Sequence, residues 1–159
     1  MGGEPTVLVL TQSCDVTADY VVEELSRRGT PVFRCDPGDF PRTLSLAAEL
    51  GGGWTGSLRL PEREVRLQDV GCAWYRRPSA FEFPEGLNPE ERRWAQAEAR
   101  LGVGGVLATL PRWLNHPSDI ARVQYKPLQL QSALAVGLTV PPTLLTNAAD
   151  AARSFAQQH

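Results

Sequence analysis

The run "TVLVLT" (Thr6 to Thr11) constrains this chain more than any other stretch. It has no polar alternation inside it, so it does not suit a strand with one wet face. It fits a parallel strand covered on both sides. "DVTADYVVEELSRRG" follows, with Ala18, Val21, Val22 and Leu25 at helical spacing. Asp15 or Thr17 can cap its start, Arg27 and Arg28 suit its last turn, and Gly29 can end it. "PVFRCD" (Pro31 to Asp36) then returns as a second short strand. Strand, helix and strand make a parallel crossover unit, which places the chain in the α/β class.

The middle is less regular. "WTGSLRLPEREVRLQDV" alternates around Leu58, Leu60, Val65 and Leu67, with Pro61 and Glu62 between the halves, and predicts a hairpin at the sheet edge. "DVGCAWYRRP" predicts a buried strand over Val70 to Tyr75 that ends in Arg76, Arg77 and a proline. In "NPEERRWAQAEARLGVGGVLATL", Asn88 is placed as N-cap, Pro89 as first helical residue and Glu91 as capping-box partner. The expected apolar face of this long helix is Trp94, Ala97, Leu101 and Ala108. Gly102, Gly104 and Gly105 predict a kink or a tight contact there, since each costs up to about 1 kcal/mol in a helix interior. In "PRWLNHPSD", Pro111 and Pro117 bracket a short extended piece, and Ser118 or Asp119 can cap a new helix. The fold expected is a Rossmann-like, open and mostly parallel sheet with an edge hairpin over residues 1–117, and a second module begins at 118–159.

Charge and composition narrow the function. With 16 basic and 18 acidic residues intermixed and a net charge of −2, there is no basic field for a nucleic-acid backbone. No apolar run approaches the roughly 20 residues that span a bilayer, and "MGGEPTVLVL" lacks the basic start and cleavage site of a signal peptide. Neither nucleic acid nor membrane is expected as a partner, and the expected location is cytoplasmic. Cys14, Cys35 and Cys72 are odd in number and widely spaced beside apolar runs, so they read as reduced, packed thiols and not as a disulfide or metal site.

Familiar catalytic motifs are missing. "GVGGVL" has Leu107 where a dinucleotide fingerprint needs its third glycine, and there is no phosphate-loop or nucleophile-elbow pattern. His116 reads as a satisfied loop histidine. No catalytic residue is assigned. The candidates lie at the carboxyl edge of the sheet, where open α/β folds place ligands. Arg76 and Arg77 could form an anion clamp for carboxylate or phosphate oxygens, or they could pair with Asp36, Asp39, Glu82 or Glu85. Gln12, Ser13 and Asp15 could hydrogen-bond a substrate, although helix capping also accounts for Asp15.

"YKPLQLQSALAVGLTVPPTLLTN" raises a sharper possibility. Lys126 begins a helix with Leu128, Leu130 or Gln131, Leu134 and Ala135 along one stripe, Gly137 stands eleven residues on, and "VPPTLLTN" resumes as a strand before a last helix capped by Asn147. The pattern of Lys126, Gln129, Ala133, Gly137, Leu138, Pro141 and Thr143 resembles the start of the first ATP-binding subdomain of the ATP-grasp superfamily. Upstream, "LVLTQSCDVTADYV", "RCDPGDFP", "AWYRRP" and "WLNHP", in this order, resemble the pre-ATP-grasp domain of ribosomal peptide maturases, the microviridin-like or graspetide synthetases. That resemblance implies a parent enzyme that uses ATP and magnesium to phosphorylate a side-chain carboxylate of a precursor peptide. A hydroxyl or amine of the same peptide then displaces the phosphate to give an ester or amide cross-link. It also implies that Lys126 contacts ATP phosphate; the alternative is a solvated lysine at a helix start. The later lysine, lid and metal-binding residues of such enzymes have no counterpart here, so the expectation is an inactive piece that binds no ATP or magnesium, with a homodimer contact as one possible role. The rival expectation is a stand-alone α/β module that holds a small anion or a protein partner around Arg76 and Arg77.

Overall fold

The computed structural model describes residues 4–159, so Met1 to Gly3, where the signal-peptide reading begins, lie outside the described residues. The chain divides into two compact units, Met1–Ser118 and Asp119–His159.

In the first unit, β1 (Thr6–Leu10), α1 (Val16–Arg27) and β2 (Val32–Cys35) form the expected crossover. With β6 (Val70–Tyr75) and β7 (Trp113–Leu114) they build a parallel sheet in the order β2-β1-β6-β7. Leu8, Val9 and Leu10 are at most 1% exposed, as an uninterrupted apolar run requires. Leu10 is in register with Cys35 on one side and Tyr75 on the other, so the carboxyl ends of three strands share one edge. The connectivity changes direction at β1, whose sequence neighbour β2 lies on one side and the distant β6 on the other.

The predicted hairpin is β4 (Trp54–Leu60) with β5 (Arg63–Arg66), and a third strand, β3 (Ser45–Leu50), joins it in a separate antiparallel sheet ordered β3-β4-β5. Gly56, at φ +140°, passes so close to β3 that a Cβ would lie 2.0 Å from the carbonyl oxygen of Ala47. Only glycine fits there. Leu8, Leu10 and Phe33 from the parallel sheet share one core with Leu58, Val65 and Leu67, and Val103 and Leu107 of the long helix join them. Each such side chain contributes roughly 1.5–3 kcal/mol through burial.

That helix, α2 (Pro89–Ala108), has the predicted capping box between Asn88 and Glu91. Its buried row, however, is Ala99, Val103 and Leu107, while Trp94 and Leu101 of the predicted face are 67% and 62% exposed. The helix carries two apolar stripes. The one with Trp94 is flanked by Arg93, Glu98 and Arg100, whose burial without partners would be costly. The expected kink or tight contact at Gly102, Gly104 and Gly105 is absent too. α2 is continuous through them, and a Cβ on any of the three would meet nothing within 4 Å.

The second unit holds most of α3 (Pro117–Val123), then α4 (Lys126–Ala135) and α5 (Ala149–Gln158). α3 begins at Pro117, so Ser118 and Asp119 fall within its first turn and do not cap it; His116 Nδ1 accepts from Ser118 N at 3.2 Å. α4 ends with Gly137 at φ +81°, with Gly137 N bonded to the Leu134 carbonyl at 3.0 Å and Leu138 N to that of Ala133 at 2.9 Å. This is a Schellman closure, which needs the left-handed residue. "VPPTLLTN" is extended but is not a strand: Pro141 and Pro142 offer no N–H to a ladder, and no partner strand among the described residues pairs with it. Asn147 does not cap α5; Thr146 Oγ1 accepts from Ala148 N at 3.0 Å instead. Among the described residues no helix is long and apolar enough to cross a membrane. The three thiols are free; Cys35 is buried, Cys72 is half-buried, and Cys14 is exposed, not packed as expected.

Candidate functional site

The carboxyl edge of the parallel sheet is organised around Asp15, which is only 6% exposed. It caps α1 by accepting from Ala18 N at 3.2 Å, and it accepts from Thr11 Oγ1 at 2.7 Å. Arg76 Nε, at the end of β6, donates to both of its carboxylate oxygens, at 2.9 and 3.2 Å. The Thr11 hydrogen bond, with smaller help from Ala18 and Arg76 and against the effect of burial, holds the Asp15 carboxyl down at about 2. Arg76 also lies 5.6 Å from the centre of the Trp74 ring. Its partner is therefore Asp15, and not Asp36, Asp39, Glu82 or Glu85. At the switch between β1 and β6, where ligands often enter this architecture, the protein has placed its own ion pair.

The other side of the β1–α1 loop is held by a residue that the sequence reading missed. Arg34 of β2 pairs with Asp19, and its Nη2 donates to the carbonyls of Gln12 at 3.1 Å and Ser13 at 2.9 Å. The only signal was a single charge within the otherwise apolar strand run "VFRC" (Val32 to Cys35). Asp36, also missed in this role, ties the next two loops together: its Oδ1 accepts from Gly38 N and Ser79 N, both at 2.9 Å. Beside it, burial first and then Asp36 and Glu82 raise the Asp39 carboxyl above its ordinary range.

Arg77 differs from its neighbour. Its carbonyl accepts from Gln12 N at 3.0 Å, but its side chain is exposed and has no ion-pair partner among the described residues. Gln12 Nε2 donates to the Cys14 carbonyl at 3.1 Å, and Ser13 Oγ lies 3.9 Å from Cys14 Sγ. Gln12, Ser13, Arg76 and Arg77 thus meet on one edge, with Arg76 used internally and Arg77 available.

Lys126 belongs to the other unit. Exposed at the start of α4, it donates from Nζ to Gln129 Oε1 at 3.3 Å. With Pro127, Leu130, Leu134, Val140 and Pro141 it lines a groove of about 580 Å³ between α4 and the extended segment. A cation at the rim of an apolar groove could take an anionic group attached to a flat apolar one. Among the described residues no three His, Cys, Asp or Glu side chains converge as a metal site.

A family model described as the MvdD pre-ATP grasp domain matches residues 6–121, well over half of the chain. The chain belongs to this family. Among solved structures, this pre-ATP-grasp chain resembles the macrocyclase MdnB from Microcystis aeruginosa MRC, with 34% identity and a TM-score of 0.87 over 97% of this chain and 52% of that one. MdnC from the same organism, a macrocyclase solved bound with precursor peptide MdnA, matches with 28% identity and a TM-score of 0.87 over 96% of this chain and 49% of its own. A RiPP-associated ATP-grasp ligase of Chryseobacterium gregarium, solved with ADP and a leader and core peptide, gives 29% identity and a TM-score of 0.89 over 98% and 48%. The pre-ATP-grasp chain therefore spans about half the length of these enzymes. No curated protein matches it.

Proposed function

We propose that this chain supplies the pre-ATP-grasp domain (1–117) and the opening of the first ATP-grasp subdomain (118–159) of an ATP-dependent, peptide-modifying ligase. The observation that carries the proposal is the family match over residues 6–121, supported by resemblance to ligases that were solved with precursor peptides. An ionised side-chain carboxylate is a poor electrophile. The complete enzyme would transfer the γ-phosphoryl group of ATP to it, releasing ADP, and a peptide hydroxyl or amine would then attack the acyl carbon and expel phosphate. The net change is the loss of one water from the peptide and the formation of an ester or amide.

In this reading Lys126 meets nucleotide phosphate, and the apolar groove beside it takes part of the same ligand. Arg77, with Gln12 and Ser13, offers donors to a peptide carboxylate or its acyl phosphate, while Arg76 positions this edge through Asp15. Among the described residues no three His, Cys, Asp or Glu side chains converge to hold magnesium. This portion would not turn over ATP by itself, because phosphoryl transfer depends on a metal clamp and positioned charge. The experiment is to incubate the complete ligase with ATP, magnesium and candidate precursor peptides and to follow peptide mass. Products that lose one water for each ADP formed are expected. ATP consumption that leaves all peptides unchanged would count against the reading.

A further inference from the structure

The antiparallel sheet β3-β4-β5 has two edges, and they are built differently. β5 is four residues long and carries Arg63, Glu64 and Arg66 at exposed positions, the short and charged form that keeps an edge from recruiting another strand. β3 has none of these guards. Its six residues, "SLAAEL", include no lysine and no proline, and its ladder to β4 runs from Ser45 opposite Arg59 to Leu50 opposite Trp54 without a bulge. Among the described residues no other backbone group bonds to Ser45–Leu50. Alternate N–H and C=O groups of β3 therefore face outward unpaired, as on any antiparallel edge.

The surface beside this edge says what kind of strand it takes. Leu46 and Ala48 are half-buried against the core, and with Trp54 they form one wall of an apolar groove of about 600 Å³. Trp94, Glu98 and Gly102 of α2 line the other wall. A strand laid against β3 would turn every second side chain toward this groove, because side chains alternate between the two faces of a sheet. Trp54 and Trp94 are 37% and 67% exposed, and a Cβ on Gly102 would meet nothing within 4 Å, so the groove has room. Glu98 is the only charged residue lining it, and neither Glu98 nor Glu49 of β3 forms an ion pair among the described residues. The complementary strand is apolar and carries a basic residue. A second copy of β3 would bring another Glu49 to an edge that already holds Glu49 and Glu98, so the charge favours a different chain.

We propose that β3 is a docking edge for an extended peptide segment of another protein. The segment adds to the sheet beside Ser45–Leu50 and turns alternate apolar side chains and one arginine or lysine into the groove, where the cation meets Glu98. Main-chain hydrogen bonds to β3 supply attraction that any sequence can use, while the groove and Glu98 select among sequences. The site shares no residue with the edge around Arg77 or with the Lys126 groove, and it does not rest on the ligase reading.

Fluorescence anisotropy on the whole 159-residue chain tests this with a labelled synthetic peptide as long as β3, in which leucine, arginine and leucine alternate with threonine. Saturable binding is expected, about tenfold weaker when glutamate replaces the arginine. Glu98→Arg, at an exposed position, should keep the parent melting temperature and reverse that preference. Gly102→Leu should fill the groove and weaken binding by a similar factor. Hydrogen exchange should slow at Ser45–Leu50 when the peptide is added and stay unchanged at Arg63–Arg66. No saturable binding, a preference that Glu98→Arg leaves in place, or exchange at β3 that ignores the peptide would each overturn the proposal. Exchange at β3 that slows with protein concentration alone would give the edge to a second copy and overturn it as well.

Discussion

Asp15 and Arg76 are 61 residues apart in the chain, yet the Arg76 guanidinium donates to both oxygens of the Asp15 carboxylate across the carboxyl ends of β1 and β6. The pair closes the crevice at which the sheet changes direction, while its neighbour Arg77 stays exposed. Adjacent arginines on one strand end thus have different jobs, and substitutions should separate them.

Arg76→Ala should lower the melting temperature, because it leaves the largely buried Asp15 carboxylate with one partner fewer. Arg77→Ala should melt like the parent but slow peptide modification in the complete ligase. Differential scanning calorimetry and peptide mass analysis make the comparison. Equal effects of the two substitutions in both assays would remove the distinction.

Acid should expose the same pair. Asp15 titrates at about 2 in the folded chain against an ordinary 3.8. As pH falls, the unfolded chain takes up this proton first, so the contribution of Asp15 is complete above about pH 4 and is lost between there and about pH 2. Glu24 is held equally low by Arg27 and Arg28, but these side chains are largely exposed and are screened by salt. Denaturant melts from pH 5 to pH 2 in high salt should therefore show an acid-induced loss that Asp15→Asn reduces. An identical acid limb in the variant would contradict this role.

The thiols should react in order. Cys14 is exposed, while burial pushes Cys35 up to about 12 and keeps it protonated at neutral pH. A chromogenic disulfide reagent should modify Cys14 rapidly, the half-buried Cys72 more slowly, and Cys35 only on unfolding. Mass mapping of the labelled sites checks the order.

Two glycines should respond with opposite signs. At Gly102 a methyl group meets open space, and Gly102→Ala should stabilise by up to about 1 kcal/mol. At Gly38 a Cβ would lie 2.7 Å from Ser79 Cβ and 2.8 Å from the Ala80 carbonyl oxygen, and Gly38→Ala should destabilise by about 1–3 kcal/mol. Urea unfolding of both variants measures the contrast.

Calorimetry with ATP and magnesium should find binding to this chain weaker than about 10 μM, roughly −7 kcal/mol. In the complete ligase, Lys126→Ala should raise KM for ATP and slow turnover without loss of folded protein. Unchanged ATP kinetics would assign Lys126 to the solvated surface.

The elements legible in the sequence were those whose local signals agree with tertiary demand. The continuous run of β1, Asp15 before α1, and Asn88, Pro89 and Glu91 at the start of α2 all mark their places without knowledge of neighbours. β3 was not legible, because Ala47, Ala48 and Glu49 are weak strand formers and become a strand only by pairing with β4. The covered face of α2 was hidden because two apolar stripes share one helix. At the candidate edge the residue types were readable but their partners were not: nearby acidic residues competed for Arg76, and the one that takes it is the N-cap of α1, 61 residues earlier in the chain.

The fastening of the β1–α1 loop has one more consequence. Arg34 grips the carbonyls of Gln12 and Ser13 from β2, while Arg76 grips Asp15 from β6. Backbone ordering of roughly 1–2 kcal/mol per residue has thus already been met by folding. A ligand arriving at Gln12 and Ser13 would find a mould already set, and it would be recognised by shape in place rather than by a loop that rearranges around it.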